Sequence, residues 1–249
     1  MSDQNAWYNQ EQFWELLEPM LFNEQRQANA QVEVDNLIRL LNIQKDERIL
    51  DLCCGTGRHS LQLALRGYDV VGVDLTRGYI ERAIRTAENY NLELDFVLGD
   101  MREYCQPDSY DIVINLFGSF GYFDDPEDDR QVVKNMYASL RSGGRFLIET
   151  SGKEIVSREF LERDWWEQAD MLVVEERKPI QNWSRILTHW IVIKGNQRFE
   201  QTVSVRCFSA VELSTLLSAD GFTSVQIYGD LEGNDYDLRA KRLVVVGTK

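Results

Sequence analysis

Between residues 48 and 150 the chain alternates short apolar runs with longer amphipathic stretches, and this alternation restricts the fold more than any other feature. The runs fall at 49–52, 70–73, 96–98, 112–116 and 146–148. Helical periodicity fills the intervals, at about 58–66, 77–90 and 127–141. Short unbroken apolar runs suit strands buried on both faces, as parallel strands under crossover helices are. The pattern therefore predicts an α/β protein with a doubly wound, mostly parallel sheet.

Outside this stretch the texture changes. Residues 7–41 have helical spacing in two blocks, Phe13, Trp14, Leu17, Leu21 and then Val34, Leu37, Ile38, Leu41, with Pro19 marking the expected break. After residue 150, stretches at 171–178, 184–193 and 198–206 read as three strands of an antiparallel β insertion. Ser209 and Glu212 then form a capping box for a helix, and strands are expected near 224–228 and 242–247. Three regions follow: N-terminal helices over 1–45 on the lid or substrate side, a ligand-binding core over 46–150 and 208–249, and the insertion over 151–207.

Charge narrows the function. The 249 residues hold 27 Lys and Arg against 41 Asp and Glu, a formal net charge of −14. So acidic a chain lacks the basic footprint that draws nucleic acid or anionic lipid. No run approaches the ~18 apolar residues of a membrane span, and the N-terminus has no basic-then-apolar leader pattern. Cys53, Cys54, Cys105 and Cys207 show no C-x-x-C spacing and read as reduced thiols of a cytoplasmic protein.

The chemistry concentrates at the first strand-to-helix junction, DLCCGTGRH over 51–59. Gly55 and Gly57 permit positive φ and close approach of a ligand to backbone. Asp51 ends the first run, Asp74 the second, Asp100 the third and Asn115 the fourth. Carboxyl ends of parallel strands face a common crevice, so these polar groups are expected to meet there. Asp74 follows Gly57 by 17 residues, an offset at which an acid accepts ribose hydroxyls. A dinucleotide fingerprint needs a third glycine, and Ser60 stands in its place. Asp51 would repel a pyrophosphate and attract a cationic amino group. S-adenosylmethionine offers that amino group, ribose hydroxyls for Asp74, an adenine amine for Asp100, and a sulfonium that acidic surroundings favour.

These residues, with VDL at 73–75, GDM at 99–101, YDIV at 110–113 and LRSGGRF at 140–146, resemble the ordered motifs of the class I S-adenosylmethionine-dependent methyltransferases. The resemblance covers roughly 35–150 and the last 40 residues. It implies a Rossmann-like, doubly wound, seven-stranded, mostly parallel sheet of order 3-2-1-4-5-7-6, with the antiparallel insertion after strand 5. It implies S-adenosyl-L-methionine as cofactor. It also implies site roles: Asp51 near the amino acid end, Cys53, Gly55 and Gly57 lining it, Asp74 at the ribose, Leu75 as a further cofactor contact, Asp100 and Met101 at the adenine, Asn115 and Leu116 flanking the methionine part. Arg58 pairs with the cofactor carboxylate or is a surface residue at a helix start. Cys53 departs from the family pattern, where glycine is common. The insertion resembles that of small-molecule methyltransferases, sugar N-methyltransferases among them.

The expected reaction is methyl transfer to an N, O or C nucleophile of a small molecule by a monomer or homodimer. A nicotinamide-dependent oxidoreductase and a non-catalytic S-adenosylmethionine-binding module are the alternatives. Three side chains are weak candidates for a catalytic role: His189, Glu149 and Tyr122. A strand histidine such as His189 is more often structural, and Glu149 serves equally well as a loop cap. The aromatic turn at 117–123 either walls the transfer site or plugs the core. Trp7 and Tyr8 form a lid or simply pack. Trp165, Trp166, Trp183 and Trp190 read as core of the insertion. The acidic run at 124–129 is expected to cap a helix rather than bind metal. No metal site is expected.

Overall fold

A computed structural model describes residues 6–168 and 170–249. The first five residues of the expected N-terminal helical region lie outside the described residues. After a 3-10 turn at Trp7–Asn9 come α1 (Glu11–Leu21) and α2 (Glu24–Leu41). The alternating stretch follows: β1 (Arg48–Leu52), α3 (Arg58–Leu65), β2 (Asp69–Asp74), α4 (Arg77–Asn89), β3 (Asp95–Leu98), β4 (Tyr110–Asn115), α5 (Pro126–Ser139) and β5 (Leu140–Thr150). A short α6 (Lys153–Arg158) leads into β6 (Arg163–Gln168), β7 (Met171–Ile180), β8 (Arg185–Lys194) and β9 (Gln197–Arg206). The chain ends with α7 (Ala210–Ala219), β10 (Thr223–Tyr228) and β11 (Leu243–Thr248).

The main sheet has seven strands in the order β10-β11-β5-β4-β1-β2-β3. This is the expected order once the insertion strands are skipped. β1 pairs in parallel with β2 and β4, and β11 runs antiparallel to β5. Ile49, Leu50 and Leu52 of β1 are buried, because the strand lies mid-sheet with a layer on each face. One apolar layer joins Leu50 and Val113 to Val132, Val133 and Met136 of α5. The other joins Ile49 and Ile112 to Val34, Leu37 and Leu41 of α2.

Two local expectations need correction. The α1–α2 break falls at Phe22 and Asn23, and Pro19 lies inside α1. The Asn23 side chain accepts the Arg26 N–H at 2.9 Å and so starts the second helix. Leu17 and Met20 hold α1 on its helical path past the proline, packed with Val173, Val192 and Val203 of the insertion. Four antiparallel strands, β6-β7-β8-β9, replace the three expected. β6 escaped detection because an edge strand carries charges that interrupt its apolar pattern, here Arg163, Asp164 and Glu167. Its alternation also turns Trp165 outward, 66% exposed, while Trp166 packs edge-on to Trp190 at 6.0 Å. Trp165 is thus not part of the insertion core. The run at 124–129 does cap a helix: Asp125 accepts the Glu127 N–H at 2.9 Å at the start of α5. Among the described residues no cluster of potential ligands could hold a metal ion, and no helix is long and apolar enough to cross a membrane.

Candidate active site

The tips of β1, β2 and β4 and the loop after β3 open into one cleft of about 990 Å³, part of it continuous with solvent. Asp51, Asp74, Asp100, Met101, Leu75 and Leu116 all line it. Parallel strands end at one edge of the sheet, so the polar group closing each is delivered to the same crevice.

The β1–α3 turn is locked by its own bonds. Gly55 has φ +58° and Gly57 φ +76°. Gly55 gives its N–H to Asp74 Oδ2 at 2.8 Å, and Thr76 gives its N–H to Oδ1 at 2.9 Å. A carboxylate oxygen has a second acceptor position, so Asp74 retains capacity for a ligand hydroxyl. Burial raises the Asp74 carboxyl, and the two N–H bonds pull it back. Asp51 is 1% exposed and accepts the Ser60 hydroxyl at 2.6 Å. Burial raises its carboxyl too, opposed by the fields of His59 and Arg58. A cation arriving beside Asp51 would favour its charged form. Cys53, at the family's glycine position, has φ +65°, which explains why glycine is common there. Its Sγ lies 3.4 Å from Met101 Sδ, and burial pushes its thiol far above the usual range, so it is no nucleophile.

Other expected residues have different duties. Gly57 does not line the cleft. A Cβ there would stand 2.8 Å from the Phe96 ring, so Gly57 lets α3 close on β3. Asn115 is fully buried and gives its amide to the Leu52 carbonyl at 3.1 Å, tying β4 to β1, while its Oδ1 has no partner among the described residues. The Asp100 carboxylate is taken by Arg102, with Nη2 at 2.6 Å. Arg58 is no surface residue: it is 4% exposed, and its Nη1 binds Glu33 Oε2 at 2.9 Å and the Arg26 carbonyl at 3.0 Å. Its Nη2 is buried without a partner. His59 shares Glu33 Oε2 at 2.8 Å.

Of the three weak catalytic candidates, only Tyr122 lines the cleft. Burial drives its hydroxyl above the ordinary tyrosine range, so it stays protonated. His189 lies on β8, paired with Glu200 at 3.0 Å. Glu149 caps the β4 turn: Oε2 accepts the Phe117 N–H at 3.0 Å and Oε1 binds Arg242 Nε at 2.5 Å. The aromatic turn divides its labour. Phe117, Ser119, Tyr122 and Phe123 wall the cleft, while Phe120 is core.

The N-terminal segment roofs the cleft. Tyr8 packs edge-on to Phe123 at 5.2 Å, and Trp7 packs on Tyr122 at 4.7 Å. α1 is stitched to α4 by Tyr79 Oη to the Trp14 carbonyl at 2.6 Å and by the Gly78 N–H to Glu11 at 3.1 Å. Phe22 was not anticipated. A Cβ on Gly55 would meet its ring at 2.7 Å, so the α1–α2 corner presses on the glycine turn. Thr76, Tyr79 and Trp14 also line the cleft unanticipated. The position of Tyr79 in the first turn after β2 was the one available signal.

Known proteins bear on this site. Residues 49–144 match the family model for a methyltransferase domain. A glycine/sarcosine N-methyltransferase of Parasynechococcus marenigrum is 34% identical over 125 residues, 49% of this chain and 44% of that one. The match therefore spans less than half of that relative's length. An S-adenosylmethionine-dependent methyltransferase of Clostridium acetobutylicum superposes with TM-score 0.77 at 15% identity, covering 95% of this chain and 97% of that one. A sugar N-methyltransferase of a Streptoalloteichus species superposes with TM-score 0.65 at 21% identity, covering 89% and 87%. Residues 49–144 are thus similar to a methyltransferase domain, and the sheet order and strand-tip cleft are those that the resemblance to class I S-adenosylmethionine-dependent methyltransferases implies.

Proposed function

We propose that this protein transfers a methyl group from S-adenosylmethionine to a nucleophile on a small molecule, in the cytosol. The observation that carries the reading is the convergence of Asp51, Asp74, Met101 and Arg58 on one roofed cleft. The unpartnered Arg58 Nη2 in that set fits a ligand carboxylate.

When bound, the cofactor would supply a sulfonium methyl for in-line attack by a nitrogen, oxygen or carbon lone pair, with the neutral thioether as leaving group. The names of the cyanobacterial relative and the Streptoalloteichus protein both specify N-methyl transfer, which favours nitrogen. Asp74 accepts the ribose hydroxyls and Asp51 faces the amino group. Arg58 holds the carboxylate. Met101 and Leu75 flank the adenine. Asp100 acts indirectly, by fixing Arg102 against Phe123, whose ring lies 4.5 Å from the guanidinium. Tyr122, kept protonated by burial, takes no proton from the acceptor. Tyr8, Trp14 and Phe22 keep water from the reacting atoms. Catalysis then rests on orientation, which in well-placed intramolecular systems contributes roughly 7–11 kcal/mol.

Thermal melting tests the reading. S-adenosylhomocysteine at 1 mM, taken as roughly 100 times Kd, should add about 2.7 kcal/mol and raise Tm by several degrees, with NADH inert. A rise with NADH and none with S-adenosylhomocysteine would instead support the oxidoreductase.

A further inference from the structure

A second cleft, of about 1070 Å³, lies on the other side of the Phe117–Gly118 turn, between α6, the insertion sheet and the residues leading into β11. Its charge inverts that of the chain. Arg177, Arg206, Lys241 and Arg242 line it, and Glu159 is its only lining acid. Arg177 and Arg206 are engaged, with Glu175 and Asp129. Lys241 is exposed and forms no ion pair among the described residues.

Arg242 stands at the partition. It binds Glu149 and Ser151, but its Nη2 is buried without a partner, 3.7 Å from where a Cβ on Gly118 would be. Arg242 and Arg58 both lie against the Phe117 ring, their guanidinium carbons 5.8 and 4.5 Å from its centroid, with that of Arg26 also at 4.5 Å. Among the described residues four buried guanidinium nitrogens lack a partner, and two of them, on Arg58 and Arg242, belong to residues lining these clefts, one to each. A buried cationic donor without an acceptor is unfavourable, and an anion relieves it. The cofactor brings one carboxylate, which suffices for Arg58 alone.

We propose that the methyl acceptor carries an anionic group, a carboxylate or a phosphate, seated in the second cleft on Arg242 and Lys241. This rests on the methyltransferase reading above. Thr150 and Ser151, at the tip of β5, put this cleft beside the cofactor's on the same edge of the sheet. Ile155, Phe160 and Ile186 supply an apolar wall for the rest of the molecule. The anionic group anchors; a separate nucleophile on the acceptor takes the methyl and releases its proton.

The test uses full-length protein, methyl-labelled S-adenosylmethionine and a small-molecule cell extract split by anion exchange at pH 7. Label should appear in the retained fraction, and phosphatase treatment beforehand separates phosphates from carboxylates. With the labelled acceptor isolated, Lys241→Glu should raise its KM about tenfold, and Arg242→Gln more, with S-adenosylhomocysteine affinity unchanged in Lys241→Glu. Label confined to the unretained fraction, or an unchanged KM in both variants, would overturn the proposal. No label in either fraction, from protein that binds S-adenosylhomocysteine, would overturn the methyl-transfer reading and the proposal with it.

Discussion

The two clefts flanking Phe117 are built in opposite ways. The first draws its acids from successive strand tips, each a few residues from the turn it serves. Three of its acids have partners in the turns and loops at those tips: Asp74 with the Gly55 and Thr76 N–H groups, Asp51 with the Ser60 hydroxyl and Asp100 with Arg102. The second gathers Gly118, Ser151, Arg177, Lys241 and Arg242 from segments far apart in the chain. Two of its four cations are held by acids distant in sequence, Arg206 by Asp129 and Arg242 by Glu149. A site made by local turn geometry can be rigid before any ligand arrives. A site made by long-range ion pairs is set by how the insertion and the C-terminal strand pack on the core. The first design suits a cofactor shared across a family, the second an acceptor that differs between members.

Substitutions that strike one cleft should spare the other. The largest effect is expected at Gly55→Val. Its Cβ would meet the Phe22 ring at 2.7 Å, and the positive φ adds strain. S-adenosylhomocysteine affinity should fall by roughly 100-fold or more, about 3 kcal/mol, read by calorimetry. A loss under threefold would show that the turn does not shape the cofactor side.

Asp129 sharpens the contrast through pH. Burial pushes its carboxyl up to about 6 against the opposing pull of Arg206. Its folded pKa exceeds the unfolded one, so the folded state binds more protons. The stability this contributes is fully present below about pH 4 and is lost as pH rises to about 6, on the order of 2–3 kcal/mol. Asp129→Asn should flatten that part of the stability curve, measured by urea unfolding from pH 4 to 7. An identical pH dependence in the variant would contradict the assignment.

Arg58→Leu should weaken S-adenosylhomocysteine about tenfold, near 1.4 kcal/mol, without moving the KM of an acceptor held on Lys241. A shift in acceptor KM alone would reverse the assignment of the two arginines. The smallest effect belongs to His189→Ala, a residue that lines neither cleft. Turnover should be unchanged, and stability should shift by less than about 0.5 kcal/mol. A large fall in turnover would restore His189 as a catalytic residue.

The same contrast explains what could be read from the chain before its structure. The parallel strands, the glycine turn and Asp51 and Asp74 were legible from local periodicity or the end of a run, while strand order and Met101 came from the family resemblance. Gly57 and Asn115 were read as ligand contacts. Each also has a structural contact, with Phe96 and Leu52 from other segments, that no local pattern shows. Asp100 was legible as a strand-tip acid, whereas its capture by Arg102 was not. Phe22 carried no signal, since its place over Gly55 depends on where α1 ends, and Pro19 pointed to the wrong residue. β6 was hidden by its charges, and Arg242 is only a cation before a strand until Glu149 and Phe117 surround it.

The central claim is that the strand-tip carboxylates hold an adenosyl ligand. Calorimetric titration of S-adenosylhomocysteine into wild-type and Asp74→Ala protein, each first shown to be folded, tests it most directly. Binding in the micromolar range should weaken at least tenfold in Asp74→Ala, about 1.4 kcal/mol or more. Equal affinity in the two proteins, or no heat from the wild type at millimolar ligand, would contradict it.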